Sequence, residues 1–501
     1  QEYLISMLHY ILEGLDAQSI LLFLAVFLLI IDIVKNKNPK NFPPGPWGLP
    51  FVGNVFNIDT KHPHIYMGKL AENYGDVFSL RLGREKIVFV MGYQLVKDAL
   101  VNQGDAFADR PCGPFADAVY GGLGLFLSNG YRWKKQRRFA LSTLRDFGLG
   151  RKTLESVISD ESRFLQEAIE EEQGKPFNPH LLLNCGISNI ICSLVFGHRF
   201  HYSNNSFQRM LYMMSVIMHL EGSIWAQLYD AFPSIMKCLP GPHKQLFSYH
   251  REVKAFIREQ IKKHKEDWDP STPRDYIDSY LTQIENSAKD AAAGFHEENL
   301  VLCSLDLFIA GTETTTTSLL WALLYMIKYP DIQKKVQAEI DRVIGKERQP
   351  SMADRVYLPY TDAVIHETQR HGNTVPLNAP RMTNKDTTLG GHFLPKGTTI
   401  IANLTSVLFD KTEWQTPNTF NPGHFLDSEG KFLRREAFIP FSAGGRMCLG
   451  EQLARMELFL FFTFLLQKFT FTSTDGKQPS MEYKLGVVRN PLPFSICAVS
   501  R

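Results

Sequence analysis

The sequence predicts a mainly α domain with a minor β portion, an α+β fold, preceded by an N-terminal membrane-anchor helix. Three observations predict it. Segments 275–284, 296–327 and 330–344 carry apolar residues at helical spacing. Only short stretches, such as 77–82, 87–91 and 398–404, have the composition of strands. Ile20 to Ile31 is an unbroken apolar run close to the start of the chain.

That run sets the first element. Its twelve residues are fewer than the ~20 that span a bilayer. The stretch extends upstream through Leu15 and residues 3–12, although Glu13 and Asp16 interrupt it. A cleaved signal peptide is disfavoured by Glu2 and by the lack of a small-residue cleavage site. A buried core helix competes with an uncleaved anchor. Lys35, Lys37 and Lys40 follow the run, which predicts an anchor over residues 1–34 with its C-terminal side in the cytosol. The chain opens on Gln1, so residues before it are expected to be missing.

Residues 35–54 read as a basic and proline-rich hinge, because Pro43-Pro44-Gly45-Pro46 restricts the backbone. The remaining residues, 55–501, form the main domain. Helix 330–344 finds a C-terminal stop in Gly345, and Lys396-Gly397 marks a turn beside strand 398–404. Hydrophobic residues make up 44% and charged residues 21%, which is ordinary for a globular chain. A net charge of +2 gives no pull towards nucleic acid. Seven widely spaced cysteines, without a CxxC pair, argue against a disulfide framework and for a reducing compartment.

The strongest functional signal is Phe441-Ser442-Ala443-Gly444-Gly445-Arg446-Met447-Cys448-Leu449-Gly450. Gly444 and Gly445 permit a tight turn. Gly450 permits a following helix, with its apolar run through Leu453 and 458–462, to approach a flat ligand. A helix N-terminus beside Cys448 is expected to favour the thiolate. Arg446 offers a fork for a carboxylate, and Phe441 can shield the sulfur. A lone cysteine is more often a small buried hydrophobe, but here five positions of a pattern recur together.

Three further patterns accompany it. Ala310-Gly311-Thr312-Glu313-Thr314-Thr315 places glycine and polar residues within an apolar helix, which predicts an interruption. Thr314 can bond back to the Ala310 carbonyl, opening a groove in which Glu313 and Thr314 relay protons. The alternative is a solvent-exposed polar patch. Glu367 and Arg370 share a helix face at i and i+3, a spacing common among surface pairs. Trp133 and Arg137 point one way at i and i+4.

The run Phe-x-x-Gly-x-Arg-x-Cys-x-Gly resembles the haem-thiolate signature of the cytochrome P-450 family, and the other patterns follow in that family's order. The resemblance covers essentially the whole chain. It implies the cytochrome P-450 fold, with residues 55–501 as a haem-thiolate monooxygenase domain. It implies haem b with Cys448 as axial ligand, O₂ as co-substrate, and NADPH electrons from NADPH–cytochrome P-450 reductase, with cytochrome b5 as a second partner. Trp133, Arg137, Arg110, Arg381 and Arg446 would hold the propionates. Thr314 and Glu313 would deliver protons, and Glu367 and Arg370 would lock the core. The family's third partner of that pair is an arginine, where this chain has His424 in Pro422-Gly423-His424-Phe425.

The basic residues Arg132, Lys134, Lys135, Arg138, Lys431, Arg434 and Arg435 would dock the reductase, although each alone reads as part of a solvated face. Phe115, Phe126, Ala310, Val375 and Leu377 would line the pocket for a lipophilic substrate. The chain looks like an animal microsomal member of family two. Segments 295–300 and 321–326 most resemble its J-type subfamily, which is associated with epoxidation and hydroxylation of polyunsaturated fatty acids such as arachidonate. That implies the endoplasmic reticulum membrane, with the catalytic domain in the cytosol. A haem-thiolate isomerase of lipid peroxides and a non-catalytic haem sensor are the alternatives.

Overall fold

A computed structural model describes residues 17–148, 152–474, 476 and 478–501. Residues 1–16, including the upstream part of the apolar stretch, lie outside the described residues. The first described helix is α1 (Ala17–Lys35), and none of its residues is buried. It is the one described helix long and apolar enough to cross a membrane. Asp32 near its end ties it to the main domain. The Asp32 carboxylate accepts the Phe51 N–H at 3.0 Å and meets Arg81 Nη1 at 3.3 Å.

The minor β portion comes next. Strands β1 (Val77–Leu82), β2 (Glu85–Val90), β3 (Arg381–Met382) and β4 (Thr399–Ala402) form one sheet in the order β1-β2-β4-β3. The pairing of β2 with β4 is parallel, and the others are antiparallel. β1 matches the sequence reading, β2 begins two residues earlier and ends one earlier, and β4 is three residues shorter than 398–404. A second pairing joins Phe469–Ser473 to Ile496–Ser500.

The helical portion builds the core. In order come α2 (Pro63–Tyr74), α3 (Pro114–Tyr120), α4 (Gly130–Asp146), α5 (Lys152–Glu170), α6 (His180–Val195), α7 (Asn205–Glu221), α8 (Ile224–Ala231) and α9 (Pro242–Asp267). Then follow α10 (Tyr276–Asn286), α11 (Glu297–Lys328), α12 (Pro330–Val343), α13 (Pro359–Gly372) and α14 (Glu451–Lys468). His296 caps α11 by accepting the Asn299 N–H through its side chain, and Asp275 caps α10 in the same way. Gly345, with φ +79°, follows α12.

The long helix α11 corrects one expectation. The sequence predicted an interruption at Gly311, yet the helix is continuous over 32 residues. Gly311 instead serves close packing. A Cβ there would lie 2.4 Å from Ile191 Cδ1 of α6. The polar run around it is not a solvent-exposed patch either, because Thr312, Glu313, Thr315, Thr316 and Thr317 are all buried. Ser188 of α6 meets Thr312 at 3.2 Å, and Asn184 accepts from Thr316 at 3.2 Å. Side-chain hydrogen bonds between two packed helices remove the penalty that isolated polar groups would pay in a core.

Candidate active site

The cysteine loop begins with a close backbone approach. Gly444 has φ +74°, and a Cβ there would lie 1.7 Å from the Leu100 carbonyl oxygen. Gly445 needs no such freedom: its φ is not positive, and its Cβ would meet Trp133 at an ordinary 3.7 Å. The turn predicted for both glycines is therefore required sterically at Gly444 alone, and Gly444 acts through the backbone without lining the cavity. The Cys448 N–H bonds the Phe441 carbonyl at 2.9 Å, which closes the loop. Phe441 lies on the cavity wall, with the Arg455 guanidinium 5.1 Å from its ring centre.

Cys448 has an exposed surface only because it faces the cavity, for protein encloses it on its other sides. Burial pushes its thiol up, and this outweighs the contact with the Gly450 N–H and the charge of Arg137, which both act downwards. The thiolate expected at the start of α14 is therefore a state that bound metal would fix, not one that the helix end secures alone. The helix end helps, but desolvation wins until a metal replaces the proton. At Gly450, a Cβ would meet no protein atom within 4 Å, so this glycine borders open space.

Beside the loop, four arginines converge, and none of them forms an ion pair among the described residues, although Asp109 lies near Arg446. Arg446 donates to the carbonyls of Ala108 (2.8 Å) and Ser128 (2.7 Å) and to Asn129 (2.9 Å). Its guanidinium lies 3.8 Å from the Trp133 ring centre. Arg110 donates to the carbonyls of Ala379 and Pro380, and Arg137 to that of Met447. Arg381 reaches Ser442 and Ala443 at 3.3 Å, behind the cavity surface. Burial and the neighbouring charges push Arg446 down to about 9 and Arg110 well below the usual range. Trp133 Nε1 and Arg381 Nε are buried without any partner. Such a cluster is stable only with an anion against it, and a cofactor bearing carboxylates fits.

Helix α11 supplies another wall. Thr314 lines the cavity and donates from Oγ1 to the Ala310 carbonyl at 2.8 Å, the back-bond expected from sequence. Glu313 does not line the cavity with it. It is fully buried on the side of α11 towards Ser215 of α7 and Asn184 of α6, whose contacts relieve it only partly. Neither carboxylate oxygen completes a hydrogen bond, and burial pushes the group up to about 7. The expected acid–alcohol pair is split across the helix, because successive residues point about 100° apart.

Glu367 and Arg370 prove to be a core pair, not a surface one. Both are 0% exposed, and the guanidinium grips the carboxylate at 2.8 and 2.7 Å. His424 takes the third place in the network. Arg370 also donates to the carbonyls of Leu408, Pro417 and Thr419, which lie in the segment leading towards the cysteine loop.

A cavity of about 300 Å³ joins these parts. Phe126, Ala310 and Val375 line it as expected, but Phe115 and Leu377 do not. Phe115 packs instead against Phe247 and His250 of α9, at 5.4 and 6.1 Å. Thr374, rather than Leu377, joins Val375 on the wall. The sequence reading missed Asp306 and Glu457, which also reach the cavity. Asp306 was legible, since it stands four and eight residues before Ala310 and Thr314 on one helix face. Of the basic residues near Trp133 and Phe432, Lys134, Lys135, Arg138, Lys431 and Arg434 are exposed.

A single sulfur, an open floor at Gly450 and a cationic edge call for a flat metal cofactor with anionic side groups, which places the chain among haem-thiolate proteins. Comparison with known proteins identifies the family: this chain belongs to the cytochrome P450 family, whose model, Cytochrome P450, matches residues 43–498. It is 51% identical to Cytochrome P450 2J2 of Homo sapiens over 482 residues, covering 96% of each chain. It is 49% identical to Cytochrome P450 2J5 of Mus musculus, covering 100% of this chain and 99% of the relative. Cytochrome P450 2C23 of Rattus norvegicus is 42% identical over 98% of this chain. The chain is accordingly a haem-containing monooxygenase of the family-two type, using O₂ and NADPH electrons passed by a reductase.

Proposed function

We propose that this chain epoxidises or hydroxylates polyunsaturated fatty acyl chains such as arachidonate, held at the endoplasmic reticulum membrane by α1 with its main domain in the cytosol. The observation that carries the reading is the cavity itself. One cavity runs from Cys448 to Thr314, and its α6–α11 wall includes Ile191, Leu194, Val195, Leu307 and Ala310. Such apolar side chains suit a flexible hydrocarbon.

When bound, haem supplies O₂ activation. This chain's residues would do the rest. Cys448 would hold the iron through its sulfur. Trp133, Arg110, Arg137, Arg381 and Arg446 would hold the carboxylates of the cofactor edge. Thr314 would position a proton at the cavity surface, its own hydroxyl proton resting on the Ala310 carbonyl. Glu313, whose carboxyl burial pushes up to about 7, would hold a proton behind the helix, one residue from Thr314. The exposed lysines and arginines beside Trp133 and Phe432 would meet an acidic reductase surface, and cytochrome b5 would use the same charge.

The test is a reduced carbon monoxide difference spectrum, followed by turnover of arachidonate with NADPH and reductase. A thiolate-type band that Cys448→Ala abolishes, with epoxide or alcohol products that require NADPH, supports the reading. Lipid-peroxide rearrangement without NADPH would move the assignment to an isomerase.

A further inference from the structure

Helix α14 opens on Glu451, three residues after Cys448. Arg455, one turn further on, reaches Glu451 Oε1 with both Nε and Nη2 at 2.9 Å. It is the one cation that pairs with Glu451 among the described residues. The two side chains keep 24% and 27% of their surface exposed, for Glu451 and Arg455. An i, i+4 pair in that much solvent adds little stability, yet Arg455 is held in place from several sides.

Arg455 Nη1 donates to His366 Nε2 of α13 at 3.2 Å. A guanidinium only donates, so Nε2 is the acceptor, and Nδ1 gives its proton to the Asp362 carbonyl at 2.7 Å. His366 is therefore neutral and adds no charge beneath the cysteine loop. The guanidinium also lies over two rings, 5.1 Å from the centre of Phe441 and 5.9 Å from that of Phe438. These contacts fix its positive charge against the Glu451 carboxylate.

The Glu451 charge is felt at the sulfur. It pushes the Cys448 thiol up, against the Gly450 N–H and Arg137. When the reductase is oxidised by one electron and the ferric cofactor is reduced by it, no bond forms or breaks, and the centre becomes more negative by one charge. A carboxylate nearby opposes that gain, and a cation held against the carboxylate relieves the opposition.

We propose that the Glu451–Arg455 pair sets the reduction potential of the cysteine-bound cofactor, Glu451 holding it down and Arg455 limiting how far. This rests on the haem-thiolate assignment and not on the choice of substrate.

The experiment is a spectroelectrochemical titration of the haem-loaded full chain without substrate. It compares the parent protein with Glu451→Gln, Arg455→Gln, Arg455→Lys and the double Gln variant, and the reduced carbon monoxide spectrum checks thiolate ligation in each. Glu451→Gln should favour reduction about tenfold, ~59 mV for one electron, the scale of one unit charge at a partly solvated site. Arg455→Gln should disfavour it by a similar factor. Arg455→Lys keeps the charge and should stay near the parent. The double variant should fall between the two Gln variants. Shifts of one sign in both Gln variants would mean that the pair only packs Phe441, and they overturn the proposal. So does an unchanged potential in Glu451→Gln. Should Arg455→Gln lose the thiolate band, Glu451→Gln decides alone, since its amide oxygen can still accept from Arg455.

Discussion

His424 Nδ1 stands 3.2 Å from Glu367 Oε2, so an imidazole completes the carboxylate that Arg370 grips from its other side. The tautomer follows from the surroundings. The Thr416 N–H points to His424 Nε2 at 3.2 Å, which makes Nε2 the acceptor and Nδ1 the donor. A neutral histidine therefore suffices. Glu367 also accepts the Asn421 N–H at 2.8 Å, and the network holds its carboxyl below the usual range despite burial.

The two partners differ in expected cost. Glu367→Gln breaks a fully buried ion pair and should cost about 3–5 kcal/mol. His424→Ala removes one neutral donor and should cost about 1–2 kcal/mol. Denaturant unfolding of the haem-loaded protein measures both, and equal losses would contradict the ranking.

Gly444→Ala should prevent the cysteine loop from closing, because its Cβ would overlap the Leu100 carbonyl at 1.7 Å. Gly445→Ala should be tolerated. Haem content per chain reads the difference. Normal loading of the Gly444 variant would show that the loop can shift away from Leu100.

Thr314→Ala removes the hydroxyl from the cavity surface along with its bond to Ala310. Product formed per NADPH should fall several-fold while peroxide release rises. Unchanged coupling would remove Thr314 from proton handling.

Glu313 makes stability depend on pH. Its folded value, about 7, lies above the ordinary 4.5, so the folded chain holds this proton more tightly than the unfolded chain does. That contribution is complete below the unfolded value and is lost as pH rises towards and past 7. The slope is about 1.4 kcal/mol per pH unit, and the total approaches ~3 kcal/mol. Glu313→Gln should lack this decline, so melting temperatures of the two proteins compared at pH 5 and pH 8 should diverge from parallel. Parallel curves would mean that the carboxyl is not desolvated as described.

Some elements were readable before any coordinates. The back-bond from Thr314 to Ala310 follows from hydroxyl chemistry four residues apart on a helix, and it is present. Trp133 and Arg137 do meet one cavity, because i and i+4 share a helix face. Phe115 and Leu377 were misplaced because their faces depend on segments far away in sequence, such as Phe247 for Phe115.

The sequence by itself determined the family, the cysteine that would bind the cofactor, and the helices on which the site residues ride. These rest on covalent order and local periodicity, which a linear chain carries. Only the tertiary structure decided that Gly311 packs a helix instead of breaking one. It also decided that Glu313 turns away from the cavity, that His424 reaches the Glu367 carboxylate as its third partner, and that Asp306 stands among apolar side chains. The physical reason is that burial sets each outcome. Whether a carboxylate is buried, paired or aimed into a cavity depends on side chains brought together from distant parts of the chain, and no local spacing records them.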